Sequence, residues 1–145
     1  MEFQTLLILH ALATWAMFGL IWMVQLVHYP SFLQIDRERF RSFAKFHVDR
    51  ISFIVVPLMF LELFTGVGLC LIPGVESNRI WFVIGFILIV ILWLVTALTS
   101  VPLHRRLLQG VDEGSIRRLI AWNWVRTSLW TIRTAGLTWI LWSQT

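Results

Sequence analysis

Four long apolar stretches separated by short polar segments organise this chain from end to end. The first runs from about Phe3 to Val27 and closes at His28-Tyr29-Pro30, where proline removes a backbone donor and disfavours helix at the residue before it. The second, about Ile51 to Ile72, contains Pro57, a predicted kink, and ends at Pro73-Gly74. The third covers about Ile80 to Leu103 and the fourth about Leu119 to Trp142. Each has the ~20 residues a helix needs to cross ~30 Å of hydrocarbon. From Ser31 to Arg50, Phe32, Leu33, Phe40, Phe43 and Phe46 are interleaved with Asp36, Arg37, Glu38, Arg39, Arg41 and Lys45, the pattern of a helix lying on a membrane surface. The expected fold is all-α: an integral membrane four-helix transmembrane bundle, one domain over residues 1–145, with an interfacial amphipathic helix between spans one and two.

Composition supports this pattern, since 58% hydrophobic and 14% charged residues lie outside the soluble globular range. The polar start Met1-Glu2-Phe3-Gln4 lacks the basic residues of a secretory signal, and the apolar run after it is too long for a signal core, so the first span is expected to remain in place. Trp81 and Trp142 fall at span ends, where indole rings suit headgroup depth. The net charge of +4 does not point to nucleic acid, because the basic residues sit between apolar stretches and not on one soluble face. They read as topology. Arg37, Arg39, Arg41, Lys45 and Arg50 precede span two, and Arg105, Arg106, Arg117 and Arg118 separate spans three and four, whereas the connection from Val75 to Arg79 holds only Arg79. The positive-inside rule then places loops one and three in the cytoplasm and both termini outside, in a membrane expected to be a bacterial inner membrane. Cys70 is the single cysteine, which excludes an intramolecular disulfide, a Cys-x-x-Cys redox pair and cysteine-based zinc.

Charged residues inside an apolar span are costly and mark candidate sites. Glu62, Arg126 and Arg133 are such residues. Arg126 and Arg133 are about two turns apart, so they share a helix face with Asn123 and Trp130, and Glu62 falls between them in depth. The expectation is a buried Arg–Glu–Arg cluster. Two readings of it stay open: a structural clamp, or a site in which one arginine balances Glu62 while the other binds an anionic or carbonyl-bearing ligand. On span one, His10, Thr14, Gln25 and His28 lie near one line, with the two histidines too far apart for one metal ion. Tyr29 reads as an interface anchor or a substrate contact. His28, His47 and His104 are expected to meet at one end of the bundle, a ligand set that suits zinc or non-haem iron.

Val101-Pro102-Leu103-His104-Arg105-Arg106-Leu107, followed by Asn123-Trp124-Val125-Arg126, resembles the four-helix membrane proteins grouped with fungal anthrone oxygenase. That resemblance implies oxygenation of a polycyclic aromatic substrate. The chain is also similar, through His10, Arg50-Ile51 leading into Pro57, and Arg106-Leu107-Leu108-Gln109-Gly110, to the bacterial membrane-bound, haem-associated protoporphyrinogen oxidases. Those proteins use a third-helix lysine for haem, whereas the one lysine here is Lys45. Haem, non-haem iron and quinone are thus the cofactor classes under consideration.

The leading expectation is an oxidoreductase acting on a flat, hydrophobic, polycyclic or quinone-like molecule. In it Glu62 exchanges a proton, Arg126 and Arg133 stabilise negative charge, and Asn123, Trp130, Gln25, His10 and Tyr29 contact the substrate. The alternative is a non-catalytic multi-pass membrane protein whose buried charges are structural or line a small ligand or ion path.

Overall fold

The computed structural model describes residues 2–73 and 79–143, so most of the connection from Val75 to Arg79 lies outside the described residues. All regular structure among them is helical. Four long helical segments carry the chain: α1 (Phe3–Gln34), α2 (Arg37–Leu71), α3 (Arg79–Leu107) and α4 (Glu113–Trp142). Of these, α1, α2 and α3 are long and apolar enough to cross a membrane. α4, expected as the fourth span, is not among them, because Asn123, Arg126 and Arg133 lower its hydropathy.

Two boundaries differ from the expectation. The first helix does not stop at His28-Tyr29-Pro30 but continues to Gln34, because Val24–His28 opens into one π-helical turn in which the Tyr29 amide donates to the Val24 carbonyl. A wider turn relieves the clash that a proline ring makes with the carbonyl four residues back. α3 repeats the device: Thr96–Ser100 is π-helical, and the Val101 amide donates to the Thr96 carbonyl just before Pro102.

The second difference is that no separate interfacial helix lies between spans one and two. Arg37–Leu71 is one helix of 35 residues that runs through Pro57 without interruption. Nothing between Phe46 and Ile51 breaks a helix, and Phe40, Ala44 and His47 are buried on its inner face, so the amphipathic segment extends the span inward. Arg105, Arg106, Arg117 and Arg118 likewise lie on the ends of α3 and α4 and not in a loop.

Each long helix packs against two others, in the cyclic order α1, α2, α3, α4. Three apolar layers alternate with polar ones along their length. One end is closed by Leu6, Leu69, Phe82 and Leu137, the middle by Met17, Met59, Leu92 and Trp130, and the far end by Phe32, Phe40, Leu107 and Leu119. The polar residues lie between these layers, so their partners must come from one another.

Candidate functional site

The buried charges divide into two groups. In the first, Arg133 donates to Glu62 Oε1 at 2.6 Å across the interior, with both side chains almost fully buried. Thr14 donates to the same oxygen at 2.8 Å, and Trp130 Nε1 donates to Oε2 at 3.2 Å. Both carboxylate oxygens therefore have charged or polar donors, the condition under which a buried ion pair holds helices in register. His10 extends the group. Arginine has only donors, so His10 Nε2 accepts from Arg133 Nη2 at 3.3 Å, and the proton on Nδ1 points to Thr65 Oγ1 at 2.8 Å. The Thr65 hydroxyl in turn donates a hydrogen bond to the Leu61 carbonyl at 2.6 Å, which completes the chain.

The second group centres on Arg126. Its Nη1 donates to Asn123 Oδ1 at 3.1 Å and to Ser100 Oγ at 3.4 Å, and its guanidinium lies 5.4 Å from the Trp130 ring centroid. Asn123 in turn donates to Gln25 Oε1 at 2.8 Å, and Gln25 donates to the Ile120 carbonyl at 3.4 Å. The expected Arg–Glu–Arg cluster is thus resolved into one ion pair and one separate cation. Among the described residues no carboxylate pairs with Arg126, and its Nε is buried without an acceptor.

Arg126 interacts on its other side with the hydroxyl of Tyr29, which is 3.0 Å from His104 Nε2. His47 lies beside His104, with ring centroids 5.2 Å apart, and its Nδ1 is hydrogen-bonded to His28 Nε2. The three histidines therefore converge, as their positions at the helix ends suggest. One nitrogen of each is engaged, in the His28–His47 bond and with Tyr29, and among the described residues no group of three His, Cys, Asp or Glu side chains is arranged to hold a metal ion. His47 Nε2 is buried with no partner.

Two cavities adjoin these groups. One, of about 250 Å³, lies between α2 and α3, and Tyr29, Ser100, His104 and Arg126 form its polar end. Its rim includes the exposed residues Val56, Phe60 and Val101, so it reaches the outer apolar surface. The other, of about 220 Å³, lies between α3 and α4 and touches His10 and Arg133. Glu62, Asn123, Gln25 and Trp130 line neither cavity and hold the arginines in place from behind.

Sequence reasoning named every charged member of both groups but missed Thr65 as the acceptor for His10. A hydroxyl in an apolar helix usually bonds its own backbone, so only the facing histidine marks it. The two π-helical turns were also missed. Their signal is a proline five or six residues beyond a polar residue, Gln25 before Pro30 and Thr96 before Pro102. No family model, curated protein or solved structure matches the chain.

Proposed function

We propose that this chain is an integral membrane protein of four spans that admits a flat, lipid-soluble molecule bearing an anionic or carbonyl oxygen, and acts on it as an oxidoreductase. The observation that carries this reading is Arg126, a buried guanidinium with no carboxylate partner among the described residues, at the polar end of an apolar cavity. A buried cation without a counter-charge costs several kcal/mol, on the order of what a ligand oxygen at that position returns.

Membrane placement is supported by the length and apolarity of α1, α2 and α3 and by the exposure of their large side chains, among them Phe53, Phe64, Leu71 and Leu98. Arg126 and Arg133 on α4 are turned inward, so α4 presents Trp122, Ile132 and Trp139 outward and is compatible with a fourth span. The basic ends of α3 and α4 and the basic start of α2 assign the Arg126 end to the cytoplasmic side, in a bacterial inner membrane on this reading.

Within the cavity Arg126 binds the substrate oxygen and stabilises the negative charge that reaches it when a proton leaves a ring carbon conjugated with it. His104, hydrogen-bonded to Tyr29, is placed to accept that proton. Oxygenation of a polycyclic aromatic, the activity implied by the resemblance of the α3–α4 motif, begins with an anion of this kind. Glu62 and Arg133 act as the clamp that sets the depth of α4, not as the reacting groups, because every carboxylate oxygen is already bonded.

The test is equilibrium binding of a hydroxyanthraquinone to detergent-purified protein, followed by tryptophan quenching. Arg126→Gln is expected to weaken binding by about a hundredfold, the value of a charged hydrogen bond in a desolvated site. Binding equal to that of the unmodified protein rules the reading out.

A further inference from the structure

The cavity between α3 and α4 has no part in the chemistry placed at Arg126. From its shape and donors we infer that it is a second ligand site, for the head of a neutral single-ring quinone.

Its size admits one ring. An apolar cavity of about 150 Å³ is enough to bind benzene, and this one holds about 220 Å³, room for a ring with small substituents. Gly85 of α3 and the exposed Gly136 of α4 both line it, and a Cβ at either would meet nothing within 4 Å, so no side chain at these positions fills the gap between the two helices. Gly66 of α2 forms the back wall, where a Cβ would come within 2.9 Å of Ile89 Cδ1, so that backbone is already in close packing.

The polar end points to a carbonyl and to neutrality. Arg133 lines the cavity, its side chain is nine-tenths or more buried, and its Nε has no acceptor among the described residues. A ligand carbonyl oxygen supplies the acceptor that this N–H lacks. Unlike Arg126, Arg133 is already neutralised by Glu62 at 2.6 Å, so a second anion here would meet no net positive charge. Trp81, Ile132 and Trp139 line the opening and are exposed, which leaves a hydrocarbon tail an exit along the outer apolar surface. The site depends on the membrane placement proposed above but not on any ligand at Arg126.

The experiment uses the full chain in lipid nanodiscs and two readings with a decyl-substituted benzoquinone. In the first, quenching of tryptophan fluorescence gives the affinity of the unmodified protein and of Gly85→Ala/Gly136→Ala, whose added methyls enter open space and leave the packing intact. The expected result is an affinity lowered by about tenfold or more, with unfolding temperature and hydroxyanthraquinone binding unchanged. In the second, an azido derivative of the same quinone is photolysed on the unmodified protein, and the expected labels fall within residues 81–88 or 132–140. Failure of the quinone to bind, an affinity within about twofold of the unmodified protein in the double variant, or labels confined to the α2–α3 cavity overturns the inference. Loss of hydroxyanthraquinone binding by Arg126→Gln alone bears on the first cavity and leaves this one standing.

Discussion

Arg133 is bonded to Glu62 at 2.6 Å, whereas Arg126, on the same face of the same helix, has no carboxylate partner among the described residues. Trp130 stands between them, donating to Glu62 with its indole nitrogen and presenting its ring to Arg126. Two arginines that look equivalent along the chain are therefore opposite in electrostatic state, and substitutions at the two are expected to differ in sign.

Glu62→Gln and Arg133→Gln each leave one buried charge unpaired, and each is expected to lower stability by about 3 kcal/mol or more. The double variant removes both charges and recovers much of that loss. Chemical unfolding in detergent micelles, analysed as a double-mutant cycle, measures the coupling. Additive losses show that the pair is not a clamp.

Arg126→Gln removes a cation that no carboxylate balances, so the unliganded protein is expected to be as stable as before or more stable. Arg126→Lys keeps the charge but replaces the planar guanidinium, whose Nη1 bonds both Asn123 and Ser100, by a single ammonium, and it is expected to restore ligand binding only in part. A thermal unfolding midpoint that falls in Arg126→Gln by as much as in Glu62→Gln contradicts the division into two groups.

The π-helical turns before Pro30 and Pro102 aim His28, Tyr29 and His104 toward one another. Moving Pro102 one residue later, by Pro102→Val with Leu103→Pro, asks the turn to re-form out of step with Ser100 and His104. Binding of the hydroxyanthraquinone is expected to fall by about tenfold or more, with helix content by circular dichroism unchanged. Unaltered binding shows that the turn does not position the site.

Asp112 lies outside the long apolar segments, at the start of α4, where the hydrogen bond from Ser115 holds its carboxyl below the usual carboxylate range. A depressed value in the folded state contributes order that is present above the ordinary carboxylate range and is lost as pH falls through the folded-state value. Amide exchange at residues 115–118, corrected for intrinsic rate, is expected to speed up on acidification below that range, and Asp112→Asn is expected to remove the dependence. Retention of the dependence in Asp112→Asn assigns it elsewhere.

Residues 3–27, 51–72, 80–103 and 119–142 were legible as helix because apolar continuity is a local property, carried by each segment regardless of its neighbours. The candidate residues were legible for a similar reason, since Glu62, Arg126 and Arg133 interrupt apolar runs where a charge has no local use. The boundary expected at Arg50–Ile51, between a surface helix and span two, is absent, because a surface helix and an extension of a longer helix have the same amphipathic period. Only packing against Leu107, Ile116 and Leu119 distinguishes them.

What the chain by itself determined was which residues must be buried together: one acid, two arginines, a row of histidines and the amides beside them. Which arginine meets the acid was decided by the tertiary structure. That choice depends on the rotation and depth of α4 against α2, differences of a few ångströms that arise from the fit of Trp130, Met17, Met59 and Leu92 in the middle layer. No local pattern records such a fit, and it is the fit that leaves Arg126 without a carboxylate partner among the described residues.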